Sequence, residues 1–340
     1  MTTSWFESAA EFIIGPAMRG PVGGAPHYEV AAHWASRRVD ATNSTMQDNA
    51  ISILLSAPDG LKLHARCYGK RSTAATPVVC LPGLARTTAD FDTLASTLAH
   101  DSARPRRVIA IDYRGRGLSA YDPNPANYSF IVELADVIAI VTALDALPAI
   151  FIGTSRGGIL TMMLAAVRPT AIAGAVFNDI GPVIEPQGLM RIKSYVGKLP
   201  QPRSFEEGAE ILRRLFGGQF PKLGRADWLA SAHRAFKEEK GRLVPTYDTR
   251  LATTLEGFDL ERPLPPLWIQ FDALASQRVM VIRGVNSDIL SAATVEAMRA
   301  RHGALETLEV PDQGHAPLLV ERDVIAHIVD FAKRCDRSVH

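Results

Sequence analysis

The chain has 340 residues, 47% apolar and 21% charged, with 37 basic side chains against 36 acidic ones. So small a net charge argues against nucleic acid or an anionic membrane surface as partner, and 25 Gly with 22 Pro exclude collagen-like or low-complexity architecture. The length calls for one large domain, or for a core domain that carries an insertion.

Residues 1–50 read as an amino-terminal appendage. Trp5, Ala9, Phe12 and Ile13 share one helical face that Gly15-Pro16 ends, a Gly/Pro-rich stretch runs from Gly20 to Pro26, and a second short helical pattern covers about 28–38. The expectation is a tail or a helix packed on the body, with a cover for an active-site entrance or a dimer contact as the sharper alternative. The start lacks the basic segment and unbroken apolar core of a signal peptide, and no run of about eighteen apolar residues is free of charges. Cys67, Cys80 and Cys335 are odd in number and show no CxxC spacing. No disulfide framework or metal site is therefore expected, and a cytoplasmic setting is the reading.

From Ile51 the pattern becomes regular. Residues 51–69 predict a hairpin around Pro58-Asp59-Gly60. Short apolar runs follow from Pro77, Arg107, Ala149 and Ala171, and again from Arg278 and Ala304, each suited to a buried parallel strand. Helical patterns lie near 88–99, 129–147, 157–167 and 320–335, so the class is α/β. Between them, residues 181–274 carry helical stretches at GLMRIKSYVG, SFEEGAEILRRLF and RADWLASAHRAFKEEK, with no confident buried strand. The expected organisation is a core of 51–180 plus 275–340, interrupted by a helical cap of 181–274. An insertion placed after a strand's carboxyl end would roof the crevice where open α/β sheets bind ligands.

The strongest motif is Gly153-Thr154-Ser155-Arg156-Gly157, between a buried strand pattern and a helix pattern. This is the G-x-S-x-G setting, in which a sharp turn exposes a serine hydroxyl and glycines relieve the crowding. A base must reach that hydroxyl. Of nine histidines, His315 alone sits in a loop just after the last strand, in PDQGHAP. For the acid that orients the imidazole, Asp288 in the loop after RVMVIRG is the first choice and Asp179, just after AIAGAVFN, the second. Two backbone N–H groups for an oxyanion site are expected at Arg156 and at Leu84, in the loop Leu81-Pro82-Gly83-Leu84.

Together these residues, with Asp112-Tyr113-Arg114-Gly115-Arg116-Gly117-Leu118-Ser119, resemble the α/β-hydrolase fold superfamily, in its serine esterase and C–C hydrolase branch with a helical cap. The resemblance covers roughly 51–335. It implies a mostly parallel eight-stranded sheet flanked by helices, a triad of Ser155, Asp288 and His315, oxyanion donors at Leu84 and Arg156, and no cofactor. It assigns DYRGRGLS a structural role. Pro82-Gly83 stands where His-Gly is common, and Arg156 where Met, Leu or Gln is common. The Arg156 side chain would either meet an anionic substrate or pair with an acid such as Glu185 of the cap. Arg86 is a further candidate for a cationic rim, and Trp228 and Trp268 for pocket lining.

The function expected is hydrolysis of a carboxylic ester with a small or medium acyl group, through an acyl-enzyme, on a small-molecule substrate. C–C bond hydrolysis or lactone opening by the same triad is the alternative. A ligand sensor that keeps the fold without turnover is a more distant one. Oligomeric state and physiological substrate are not legible.

Overall fold

A computed structural model describes residues 50–72, 74–259 and 264–336 of the chain, so the reading of an appendage over 1–50 falls, but for its last residue, outside the described residues. Its strands are β1 (Ala50–Ser56), β2 (Lys62–Tyr68), β3 (Val78–Leu81), β4 (Val108–Asp112), β5 (Ala149–Thr154), β6 (Ile172–Asn178), β7 (Phe236–Glu239), β8 (Arg242–Pro245), β9 (Arg278–Gly284) and β10 (Glu306–Val310). Eight of them form one sheet in the order β1-β2-β4-β3-β5-β6-β9-β10, while β7 and β8 pair apart from it. β1 and β2 are the predicted hairpin, and β2 meets β4 antiparallel. Every later pairing in the sheet is parallel.

The continuous apolar runs are explained by burial on both faces: every residue of β3 and β4 is inaccessible. Alternation then sorts the side chains. Val79, Leu81, Phe151, Phe177 and Val281 join one core, and Val78, Cys80, Ile150, Val176 and Ile282 join the other. The helices that cover these faces are α1 (Asp92–Ala99), α2 (Phe130–Ala143) and α3 (Arg156–Val167), followed in the insertion by α4 (Pro186–Tyr195), α5 (Phe205–Phe216), α6 (Arg225–Ala235) and α7 (Trp268–Asp272), and after it by α8 (Ala292–Arg301) and α9 (Arg322–Cys335). Ser129 caps α2 by accepting the Val132 N–H. Ser204 caps α5, whose first turn is acidic and last turn basic, in agreement with its dipole.

The segment between β6 and β9 has its own apolar centre, which includes Leu212, Phe220, Trp228, Phe236 and Leu243. One sequence expectation fails inside it. RADWLASAHRAFKEEK predicts a single helix, yet α6 stops at Ala235 and the rest enters the β7–β8 hairpin. Lys240 and Gly241 both hold positive φ, at 53° and 73°, the conformation of a tight two-residue hairpin turn.

DYRGRGLS fastens this insertion to the sheet. The Gly117 N–H donates to Thr246 O at 2.8 Å, and the Asp248 N–H donates to Gly115 O at 2.7 Å. Gly115 must be glycine: φ is 73°, and a Cβ would stand 2.7 Å from the Tyr128 ring. The Tyr128 hydroxyl in turn donates to Asp248 Oδ2 at 2.5 Å and accepts the Asp122 N–H at 3.0 Å. Tyr128→Phe removes both bonds from a buried position. A loss of about 1–3 kcal/mol is expected, read as a lower urea midpoint at unchanged m-value. A midpoint equal to that of the parent protein would show that the fastening lies elsewhere.

Candidate active site

The nucleophile candidate sits where β5 gives way to α3. Ser155 has φ 50°, ψ −111°, an unusual backbone for a residue with a side chain, and its N–H donates to Asn178 O at 3.1 Å. The flanking glycines are dictated by contact distance. A Cβ on Gly157 would lie 2.1 Å from Leu81 O, and one on Gly153 would lie 2.5 Å from the Gly157 carbonyl carbon. No other residue fits either position without moving β3 or the turn.

His315, in the loop after β10, reaches this turn. Its Nε2 is 2.8 Å from Ser155 Oγ, and its Nδ1 is 2.8 Å from Asp179 Oδ2. Asp179 follows β6 directly, in the left-handed region at φ 57°, and is fully buried. Its carboxylate also accepts the Gly284 N–H at 2.8 Å and the Ser287 hydroxyl at 2.5 Å. Three groups therefore fix one carboxylate, and a carboxylate so satisfied stays oriented toward the imidazole.

This geometry corrects the first choice of acid. Asp288 does not bond His315. It receives both arms of the Arg191 guanidinium, at 2.6 and 2.8 Å, from α4 of the insertion. Burial raises the Asp288 carboxyl, and Arg191 more than offsets this, leaving it below its ordinary value. The loops after β6 and β9 end side by side, since these strands pair and the Asp179 N–H donates to Ile282 O at 2.8 Å. Either loop reaches the histidine side of the site, and the earlier one holds the carboxylate that bonds His315.

Arg156 is corrected as well. Its side chain turns away from the cavity: Nε donates to Glu133 Oε2 at 2.6 Å, Nη2 donates to Tyr128 O at 3.1 Å, and the guanidinium lies 4.0 Å from the Phe130 ring centroid. Its partner is neither a substrate anion nor Glu185 but Glu133 of α2. Glu133 also accepts from Arg116 Nη1 at 2.6 Å, and Arg116 Nε donates to Leu84 O at 2.8 Å. One buried carboxylate thus connects the two residues singled out for their backbone amides. Sequence reading missed Glu133, although a lone Glu within the apolar run FIVELADVIAIV was the available signal.

A cavity opens over Ser155 and His315, lined by Leu84, Arg86 and Trp228 among the expected residues. Trp268 lies outside it, on α7, with the Arg301 guanidinium 4.5 Å from its ring centroid. It does not line the cavity, because α7 packs against α3 and the main core rather than over the nucleophile. A missed residue is Asn178, whose side-chain amide donates to Thr154 Oγ1 at 3.1 Å and to Pro317 O at 3.0 Å. It ties the serine turn to the histidine loop. Among the described residues, no group of three or more His, Cys, Asp or Glu is arranged to hold a metal ion, and no helix is long and apolar enough to cross a membrane.

Known proteins resemble this chain in sequence, and a solved structure resembles it in fold. A 3-hydroxybutyrate-oligomer hydrolase of Cupriavidus necator is 32% identical over 281 residues, which cover 79% of this chain and 93% of that protein. A 2-(acetamidomethylene)succinate hydrolase of Mesorhizobium japonicum is 25% identical over 61% of this chain and 71% of its own. The crystal structure of an alpha/beta hydrolase from Novosphingobium aromaticivorans superposes with a TM-score of 0.77 at 37% identity, covering 84% of this chain and 99% of that one. The sequence pattern of the Alpha/beta hydrolase family matches residues 78–328. With its strand order, its serine turn after β5 and a match spanning most of its length, the chain belongs to the alpha/beta hydrolase family.

Proposed function

We propose that this hydrolase cleaves a carboxylic ester through an acyl-enzyme, with Ser155 as nucleophile, His315 as general base and acid, and Asp179 as the acid that orients His315. The observation that carries the reading is the unbroken hydrogen-bonded line Ser155 Oγ–His315–Asp179, with both contacts at 2.8 Å, opening on a cavity. His315 Nε2 takes the Ser155 proton as Oγ attacks the carbonyl carbon. The imidazolium so formed keeps its Nδ1–H on Asp179, which stays ionised. His315 then protonates the departing alcohol, and a water activated by the same nitrogen releases the acid.

The oxyanion is assigned to the amides of Leu84 and Arg156. Arg156 directly follows the nucleophile at the start of α3, where the helix dipole favours negative charge. Leu84 lines the cavity, and a Cβ placed on its neighbour Gly83 would be 3.9 Å from Ser155 Cβ. An apolar wall supports a small or medium acyl group. The Cupriavidus relative, named for an oligomer whose units are joined by esters, supports the bond type.

A fluorophosphonate probe is expected to add once per chain, on the peptide that contains Ser155, and p-nitrophenyl esters of short acyl chains are expected to turn over. Absence of the adduct, or its appearance on another residue, would falsify the activated serine.

A further inference from the structure

Most of the cavity wall is apolar, formed by side chains such as Leu199, Leu212, Phe216, Phe220 and Trp228. Against it stand two guanidinium groups that share one carboxylate, and all three line the cavity: Arg86, Arg234 and Asp90. Arg86 spends two of its nitrogens on Asp90, both at 2.6 Å. Arg234, from α6 of the insertion, reaches the same carboxylate only at 3.5 Å and gives Nη2 to Ser231 Oγ at 3.1 Å. The neighbouring acids are engaged elsewhere. Asp227 accepts the Gly224 N–H at 2.9 Å, and Asp92 holds Arg66 at 3.0 Å as well as the Tyr68 hydroxyl.

Two positive charges on one negative leave a single positive charge facing an apolar wall. Arg86 keeps 34% and Arg234 22% of its side chain exposed, so this charge is open to solvent and to an incoming anion. The two arginines differ in how far Asp90 offsets their burial. Burial lowers both, but Asp90 more than restores Arg86, whereas Arg234 stays below its ordinary value. The cluster is also close to the chemistry: a Cβ on Gly83 would be 3.4 Å from Arg86 Cγ and 3.9 Å from Ser155 Cβ.

We propose that Arg86 and Arg234 bind a free carboxylate carried by the substrate, so that the ester cleaved is a half-ester or an ester of a hydroxy acid. The proposal rests on the reading of Ser155 as an ester-cleaving nucleophile. One carboxylate balances the single excess charge, whereas a doubly charged phosphate would overshoot it. The planar forks of arginine match a carboxylate's two oxygens. Because Arg86 belongs to the core and Arg234 to the insertion, the bound acid group would join the two across the cavity.

Two matched readouts test it. In the Ser155→Ala protein, calorimetry is expected to show monomethyl glutarate binding at least tenfold more tightly than dimethyl glutarate. Arg234→Gln in that background should erase the difference, and Arg234→Lys should keep part of it. In the active enzyme, the ratio of kcat/KM for 3-acetoxybutanoate over its methyl ester should fall at least tenfold in Arg234→Gln. Folding of each variant is checked by its thermal midpoint. Equal binding of the acid and neutral esters, or a ratio that Arg234→Gln leaves unmoved, overturns the carboxylate site. Binding is read without turnover, so absence of hydrolysis counts against the role of Ser155 and not against the site.

Discussion

Ser155→Ala is expected to lower kcat on a short-chain ester by about 10⁶, and Asp179→Asn by about 10⁴, with folding retained. The difference between the two follows from what each change removes. Alanine deletes the attacking atom. Asparagine at 179 keeps Oδ1 for the Gly284 N–H, but in place of Oδ2 it presents an amide N–H to both His315 Nδ1 and the Ser287 hydroxyl. The imidazole must then carry its proton on Nε2, where it cannot accept one from Ser155. Asp288→Asn separates the assignments. It weakens only a partly exposed pair with Arg191, a loss of about 1 kcal/mol or less, and should change kcat by less than about tenfold. Initial rates on one ester, with thermal midpoints as control, decide the matter. A larger fall for Asp288→Asn than for Asp179→Asn would return the acid to the loop after β9.

Glu133→Gln is expected to cost about 3–5 kcal/mol of stability, read as a lower urea midpoint. Glu133 is fully buried between Arg116 and Arg156, each at 2.6 Å, and Arg116 lies 5.5 and 5.6 Å from the ring centroids of Tyr113 and Tyr128. Without the carboxylate, two cations face each other across a neutral amide in the interior. Burial raises the Glu133 carboxyl, but the charges of Arg116 and Arg156 outweigh it and leave the carboxyl below its usual range. A value depressed by folding contributes stability above the unfolded carboxyl value and loses it as pH falls through the folded one. The gap between parent and variant should therefore be full at pH 7 and narrow on acidification. A gap under about 1 kcal/mol at pH 7 would show that the arginines find other partners.

The fold was legible because its central strands are buried on both faces and so read as unbroken apolar runs, from Val78 to Leu81 and from Val108 to Ile111. Ser155 and His315 were legible for a different reason: each lies in a loop whose neighbours restrict it, glycines around one and a strand end before the other. The acid was not. Asp179 and Asp288 both follow strands that end at the same edge, and order along the chain ranks them no further. What separates them is direction, set by a positive φ at Asp179 and by a pairing of Asp288 with an α4 residue 97 positions earlier. Arg156 was misread for the same reason. Composition announces its charge, but the first turn of α3 aims it at Glu133 rather than at the cavity. The β7–β8 hairpin escaped because Lys237, Glu238 and Glu239 continue the helical pattern of α6, and only Lys240-Gly241 hints at the reversal.

With Asp179 after β6 as the carboxylate beside His315, Asp288 and Asn286 of the loop after β9 serve other contacts, while Ser287 between them holds Asp179. There Asp288 holds Arg191 of α4, the Asn286 side chain donates to Gln219 O at 3.1 Å, and the Glu185 and Gly188 N–H groups donate to Ile289 O and Asp288 O, each at 3.0 Å, so this loop grips the insertion through both side chains and backbone. The proposed proton path and the mooring of the roof thus occupy adjacent loops but different residues. Substitutions at Asp288, Asn286, Arg191 or Gln219 can shift how the roof rides over the cavity, and with it which molecules enter, while Ser155, His315 and Asp179 keep their alignment. With the proposed triad, substrate range and catalytic competence are separately adjustable.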